Sequence, residues 1–334
     1  MENADLRPDT INKLRFGADA AFAMLAGMQL DVFTPMKDGP LTAEQIADTI
    51  GVKPDRLRLL LWALVAAGLL TEKDGRFSNT PEANHFLVKG NSSYVGNLHA
   101  NLSSQWARKR KTADSIRTGV PQAKLDFSHS PPEELEAFLR RINATTVPAA
   151  QSLLARHDFS SIKTLADVGC GGAGLAITIT KTHPQIEATA IDLPQIAPIA
   201  QKIVNEQGAA NHVRVMAADV LSGPLTGAYD TAILQSLLQV LSPENARFAL
   251  KNIAAAVKPG GTIYIVGQIL DDSRTSPLEA VGFNLIFINN FDVGESYTEQ
   301  EHREWLAEAG LVDIERAKTP LAQGLGLMTG RKRG

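Results

Sequence analysis

From about Thr10 to Phe33 apolar side chains recur on every side of a helical wheel: Leu14, Phe16, Ala20, Phe22, Leu25, Met28, Leu30, Val32 and Phe33. A helix that is apolar all round is buried, in a core or against another subunit. The next segment, Leu41-Thr42-Ala43-Glu44-Gln45-Ile46-Ala47, opens a second helix. Thr42 is its N-cap, and Gln45 three residues on completes a capping box. Gly51 closes that helix, and Pro54-Asp55-Arg56-Leu57 opens a third that runs through Leu61, Leu64 and Val65 to Gly68. Leu69–Glu72 and Arg76–Ser78 then read as two short strands around an Asp74-Gly75 turn. Three helices and a hairpin make a winged-helix pattern. The third helix holds Lys53, Arg56 and Arg58 but also Leu57, Leu59, Leu60, Leu61 and Trp62. That face is too apolar for a major groove, so the domain is read as a packing or dimerisation module, not a DNA reader.

Residues from about Ser92 to Ala155 are mostly helical, with a polar stretch (Asn97, His99, Asn101, Ser103, Ser104, Gln105), a basic run (Arg108-Lys109-Arg110-Lys111) read as a solvated face or helix end, and a break at Ser128–Pro132. From Lys163 the pattern alternates between short apolar runs and helical segments. Strands are predicted at Thr164–Val168, Glu187–Ile191, Val213–Ala217, Thr231–Leu234, Thr262–Val266, near Val312–Ala317 and at Leu325–Gly330. Helices are predicted at Gln195–Gln207, Pro243–Ala256 and Glu299–Ala309. This is a doubly wound parallel α/β sheet, with the two closely spaced last strands forming an antiparallel edge.

The first strand of that sheet runs into Asp167-Val168-Gly169-Cys170-Gly171-Gly172-Ala173-Gly174, an apolar helix follows, and the second strand ends at Asp192, eighteen positions after Gly174. Strand, glycine turn, helix, strand and carboxylate make a site for an adenosine-containing cofactor, with Asp192 accepting from ribose hydroxyls. Gly169, Gly171 and Gly174 also satisfy G-x-G-x-x-G, so on this pattern alone a nicotinamide or flavin remains open.

At 334 residues with 44% apolar side chains the chain accommodates two domains with ordinary cores. A net charge of −3 argues against a general nucleic-acid binder. No apolar run approaches the roughly 20 residues that span a bilayer, and Met1 to Arg15 lacks the apolar core of a signal peptide. With one cysteine, Cys170, no internal disulfide forms, and a cytoplasmic location is expected. Cys170 is read as a small turn residue, not a nucleophile, and no metal site is expected.

Several further motifs join the glycine turn: Asp192-Leu193-Pro194, Ala218-Asp219-Val220, Val257-Lys258-Pro259-Gly260-Gly261, Tyr297-Thr298-Glu299 before Leu306-Ala307-Glu308-Ala309-Gly310, the capping segment after Leu41, and Asn79-Thr80-Pro81. On these the chain resembles, over nearly its whole length, the S-adenosylmethionine-dependent O-methyltransferases that carry an N-terminal winged-helix dimerisation domain. That family includes plant phenolic, bacterial antibiotic-tailoring and carotenoid methyltransferases. The resemblance implies a winged-helix dimerisation domain at 1–95, a helical connector contributing to the substrate pocket at 96–155, and a Rossmann-like cofactor domain at 156–334. It implies a homodimer acting on a small-molecule acceptor, with S-adenosylmethionine as donor and S-adenosylhomocysteine as product.

Carried over residue by residue, Asp167, Gly169, Gly171 and Gly174 frame the cofactor's amino-acid portion. Asp192 takes the ribose, and Leu193, Asp219 and Val220 surround the adenine. Gln235 stands where the family often has a Lys or Arg on the cofactor. The acceptor pocket would draw on Phe138, Ile142, Phe283, Phe287, Asn290 and Phe291, with Asn289 as a further polar contact.

The acceptor side departs from the family. Where the family has Leu-His-Asp-Trp, with the His as general base, this chain has Leu238-Gln239-Val240-Leu241. Gly267 replaces one Glu that holds the His in plant members, and Glu295 matches a second. A glutamine amide takes no proton near neutral pH, and a phenol of pKa about 10 gains about 10²–10⁴-fold from a base. Three routes follow from the resemblance. The acceptor is already nucleophilic (an enol-like carbon, a nitrogen, a thiolate or an acidic hydroxyl). Or another residue serves, with Glu295, His99 and His129 as candidates and Gln239 as an orienting amide. Or the fold runs other chemistry, as a hydroxylase or decarboxylase with the cofactor as a structural ligand. His157, His183 and His212 are placed at the surface, and His302 on the exposed side of its helix.

Overall fold

The computed structural model describes residues 7–91, 93–124 and 130–334, and of Ala144 the backbone only. The chain divides into two compact units, one ending at Ser104 and one beginning at Gln105. The first opens with α1 (Asp9–Leu30), followed by β1 (Leu41–Thr42), α2 (Ala43–Ile50), α3 (Pro54–Ala66), β2 (Leu70–Lys73), β3 (Arg76–Asn79) and α4 (Pro81–Phe86). The predicted capping box forms: Gln45 N–H donates to Thr42 Oγ1 at 3.3 Å and the Gln45 side chain accepts from Thr42 N–H at 2.9 Å. The hairpin of β2 and β3 is joined by β1 into a three-stranded antiparallel sheet, which completes a winged helix.

Within its own chain, α1 is not buried all round. Ala23, Leu25 and Met28 are buried, whereas Ile11, Leu14 and Phe16 are more than half exposed. The physical reason is numerical: the small core of Ile46, Leu57, Leu61, Leu64 and Phe77 can cover one face of a 22-residue helix and no more. The apolar remainder of the helix, Ile11, Leu14, Phe16 and Phe22, is exposed within this chain.

Helix α5 (His99–Lys109) leads into the second unit, which continues with α6 (Thr112–Thr118) and α7 (Pro132–Leu154). An alternating series follows: β4 (Thr164–Val168), α8 (Gly174–Thr182), β5 (Glu187–Asp192), α9 (Ala197–Glu206), β6 (Val213–Ala217), β7 (Tyr229–Gln235), α10 (Pro243–Ala256) and β8 (Val257–Gly267). The chain ends with β9 (Ile269–Leu270), α11 (Leu278–Asn290), β10 (Tyr297–Thr298), α12 (Glu299–Glu308), β11 (Leu311–Arg316) and β12 (Gly326–Lys332). The seven-stranded sheet has the order β11-β12-β8-β7-β4-β5-β6. Its strands β4 to β8 are parallel and β11 and β12 form the antiparallel edge, as the pattern predicted. Strands β4, β5 and β6 progress outward, and β7 returns to the other side of β4. That reversal opens a crevice at the carboxyl ends of the strands, where open α/β sheets bind ligands. Among the described residues no helix is long and apolar enough to cross a membrane.

The amino ends of the central strands are tied by one carboxylate. Asp230 Oδ2 accepts from Lys163 N–H, Thr164 N–H and Thr164 Oγ1 at 2.8–3.1 Å, and Oδ1 takes Lys258 Nζ at 2.8 Å. Partial burial opposes ionisation, but Lys258 and the backbone donors win and hold the carboxyl at about 2. A depressed carboxylate pKa stabilises the fold above its unfolded value near 4, and the gain is lost as pH falls toward 2. Asp230→Ala should therefore cost about 2 kcal/mol at pH 7, with the difference from the native protein shrinking below about pH 4. Urea denaturation across that pH range checks both the size and the sign.

Candidate functional site

The carboxyl ends of β4, β5 and β7 bring the predicted cofactor residues together. Val168 pairs with Ile191 on one side and Leu234 on the other, so the glycine turn lies between Asp192 and Gln235. Gly169 and Gly171 have φ of 71° and 53°, which a side chain resists. Ala173 takes the same left-handed region at 56°, and Ser236, next to Gln235, does so at 60°. Two non-glycine residues held there mark backbone that the surroundings force.

Asp192 receives Gly171 N–H on Oδ2 at 2.7 Å and Leu193 N–H on Oδ1 at 2.8 Å. Burial raises its pKa, and these two amides oppose the rise. Each oxygen keeps a lone pair for a further donor. Asp167 lies behind the turn, with Ala176 N–H on Oδ2 at 3.1 Å. Burial pushes it up to about 7, that amide opposes the shift, and the Asp192 charge adds to it. Cys170 is buried and its thiol is raised by burial, which suits a turn residue and not a nucleophile. Asp219 accepts from Leu221 N–H at 2.8 Å, shaping the turn after β6, and Val220 is buried beside it.

Two residues that the sequence pattern did not single out complete this cradle. Asn143, on α7, donates from Nδ2 to Gly172 O at 3.1 Å, and a Cβ on Gly172 or Gly174 would lie 2.6 Å from its amide. Thr146, one turn on, receives Gln235 Nε2 at 3.4 Å. Asn143 Oδ1 and Gln235 Oε1 are both buried and without a partner. Buried amide oxygens are costly to leave unpaired, so two of them around one glycine turn mark a place for a donor-bearing ligand. No local signal announces Asn143, because its contact is made 29 residues along the chain.

On the acceptor side, Gln239 sits in the turn Leu238–Val240 after β7 and is buried. Its Oε1 accepts from Gln268 N–H at 2.9 Å, and a Cβ on Gly267 would lie 2.7 Å from that oxygen. The glutamine and the glycine are therefore one arrangement. A Cβ on Gly294 would lie 2.4 Å from Gln239 O, so the loop holding Glu295 packs on the same turn. Glu295 itself is about half exposed and paired with Arg274 at 3.1 Å. His99 opens α5 in the N-terminal unit and is partly exposed. His129 lies outside the described residues.

The reading of His302 needs correction. It is 3% exposed, with Nδ1 2.7 Å from Thr298 O and its ring beside Trp305. Trp305 and Leu306 stand three and four positions on, so the histidine shares the inward face of α12. Burial lowers its pKa, which favours the neutral ring.

Phe283, Phe287 and Phe291 form a ring ladder with centroids 5.4 and 5.9 Å apart, and Phe287 is buried. Asn289 is fully committed to structure: its amide bonds Ser115 Oγ, Thr112 Oγ1 and Leu285 O, joining α6 to α11. Asn290 is buried, and with its amide turned to satisfy both ends it accepts from Arg108 Nη1 at 3.0 Å and donates to Ala123 O at 3.3 Å. Phe138 and Ile142 are partly buried on α7.

Comparison with known proteins agrees with this geometry. The O-methyltransferase domain family matches residues 115–312, and the O-methyltransferase dimerisation domain matches residues 13–89. The chain belongs to the O-methyltransferase family. It is 26% identical to a 3-hydroxy-5-methyl-1-naphthoate 3-O-methyltransferase of Streptomyces sahachiroi, over 95% of this chain and 94% of that one. It is 27% identical to the N,N-dimethyltransferase OxyT of Streptomyces rimosus, over 87% and 86%. The solved S-adenosylmethionine-dependent methyltransferase SibL superposes with a TM-score of 0.81 at 27% identity, covering 98% of this chain and all of that one. The protein is an S-adenosylmethionine-dependent methyltransferase of specialised metabolism, with a dimerisation domain and a small-molecule acceptor. The glycine-rich turn, the carboxylate at the end of β5 and the two unpaired amide oxygens fit that cofactor.

Because Gln239 and Gly267 form one arrangement, Gly267→Ala should destabilise by about 1–3 kcal/mol through overpacking. Removing the Gln239 side chain in the same molecule should recover most of that loss. Denaturation of the two single variants and the double variant measures the coupling, and additive losses would refute it.

Proposed function

We propose that this methyltransferase acts on a largely apolar acceptor by proximity and alignment, without a histidine base, and that it works as a homodimer through its N-terminal domain. The observation that carries the reading is that Gln239, which the resemblance sets at the family's base position, is a buried amide whose oxygen is occupied by Gln268 N–H. Such a group positions a neighbour but accepts no proton. The acceptor atom is therefore one that needs little help, such as an enol-like carbon, a nitrogen or an acidic hydroxyl. That relatives include O- and N-methyltransferases fits a fold whose acceptor half is adjustable. The exposed apolar face of α1 supports the dimer.

The cofactor supplies an electrophilic methyl on a sulfonium. This chain's part is to hold both ends of the displacement. Asp192 receives the ribose hydroxyls on its free lone pairs, and Leu193, Asp219 and Val220 enclose the base. The glycine turn admits the amino-acid end, and Asn143 Oδ1 with Gln235 Oε1 accepts its ammonium. In-line displacement between two held groups draws most of its acceleration from orientation.

Incubation with methyl-labelled S-adenosylmethionine and candidate acceptors should give labelled product and S-adenosylhomocysteine in equal amounts; turnover of the acceptor with no S-adenosylhomocysteine released would refute methyl transfer. Gln239→Ala should lower turnover by less than about 10³-fold, and a larger loss would restore a base-like role. In calorimetry, Asn143→Ala should weaken S-adenosylhomocysteine binding about tenfold. It should scarcely change binding of the analogue lacking the amino group, whereas equal losses for both ligands would remove Asn143 from the ammonium site.

A further inference from the structure

Beside the turn that carries Gln239 lies a cavity of about 10 Å³. Three elements close it: the turn Ser236–Gln239 after β7, the end of β8 with Gln268, and His302 on α12. These elements are already fastened to one another. Gln239 Oε1 accepts from Gln268 N–H at 2.9 Å, Tyr297 Oη donates to Leu241 O at 2.6 Å, and Tyr297 on β10 pairs with Ile269 on β9. The polar side chains of the lining are those of Ser236, Gln239, Gln268 and His302.

Two of these groups bring acceptors and no donor to meet them. Gln268 is 7% exposed, and its Oε1 is buried without a hydrogen-bond partner. His302 gives Nδ1 to Thr298 O at 2.7 Å; a carbonyl only accepts, so Nδ1 carries the proton and Nε2 keeps a lone pair. Burial favours this neutral ring. Among the described residues no group donates to either atom. Buried acceptors without a donor are costly. The cavity has the size and the polarity to supply one, since a single water needs roughly 10–15 Å³ and about two to four polar partners. Its two O–H bonds serve one acceptor each, and its own lone pairs can take Gln239 Nε2, whose neighbouring oxygen is already engaged. An apolar occupant would leave both acceptors unpaired.

We infer that Gln268 and His302 bind one water molecule in this cavity, and that His302 is a positioning residue: through that water, α12 holds the Gln239 turn in place. The water site stands by itself. That the turn it steadies lies on the acceptor side rests on the proposed reading of Gln239.

Hydrogen exchange in the full-length protein, followed by NMR at the Gln268 amide, reads the hold on the turn, because Gln239 Oε1 accepts from that N–H. His302→Phe keeps a buried ring and removes the lone pair; Gln268→Met keeps the chain length and removes the acceptor. Each should speed exchange at position 268 about threefold to tenfold after correction for intrinsic rates, with the amides of β4 and β5 unchanged. If one water joins the two residues, the double variant should be at most about twofold faster than the faster single variant. His302→Gln, whose carbonyl can replace the lone pair, should recover most of the protection. A crystal structure of the native protein should show a water oxygen within about 3.2 Å of both Gln268 Oε1 and His302 Nε2. Gln268→Met keeps the exchange test open if His302→Phe folds poorly. Unchanged exchange in the single variants, multiplied effects in the double variant, no recovery with glutamine, or no water at that place in the native crystal overturns the inference. Absence of methyl transfer by the native protein would instead count against the proposed function, since none of these measurements needs an acceptor.

Discussion

Asn143 lies so close to the glycine turn that no side chain fits at Gly172 or Gly174 beneath it. This contact makes the cradle two-sided. The turn alone would be a bare loop at the end of β4, open to solvent and free to breathe. With α7 lying on it, Asn143 bonds the turn at Gly172 O and Thr146 takes the Gln235 amide. The cost of that closeness is spread among residues that look unrelated in the sequence: left-handed backbone at Ala173 and Ser236, a carboxyl at Asp167 held near pKa 7 by burial, and two amide oxygens without partners. Strain and unpaired polar atoms concentrated at one strand end, in a domain otherwise well packed, are what a binding site looks like before its ligand is counted.

On the acceptor side the same logic applies to a substitution. Taken singly, Gln239 and Gly267 look like two unrelated positions in the sequence. In three dimensions they are linked, because the Gln239 amide oxygen occupies the space a Gly267 side chain would need and takes the Gln268 N–H as its donor. A buried amide that is hydrogen-bonded adds rigidity at no charge cost. The turn is therefore held rigid, and the loop holding Glu295 packs on its backbone through Gly294.

What could be read from the sequence follows how local each signal is. The strand-turn-helix path from Asp167 to Asp192 is short and its turn chemistry is explicit, and in the structure the Asp192 carboxylate accepts from Gly171 N–H of that turn. The antiparallel edge was legible for the same reason. Asn143 was not, since it lies on a helix whose relation to the turn is set by packing and not by spacing. His302 was misplaced because polarity does not report which face of α12 meets the sheet, and Trp305 and Leu306 decide it from positions three and four residues on. For α1 the pattern left a core or a second subunit open, and the structure leaves Ile11, Leu14 and Phe16 exposed in the single chain.

The two halves of the site then make one demand on the substrate. A base lowers the barrier for many orientations of a hydroxyl, and so tolerates a loosely held acceptor. Alignment tolerates no such freedom, and its contribution disappears when the reacting atoms drift from a near-attack arrangement. An enzyme that gives up the base must hold its acceptor at a second point, well separated from the reacting atom, so that rotation about the first is stopped.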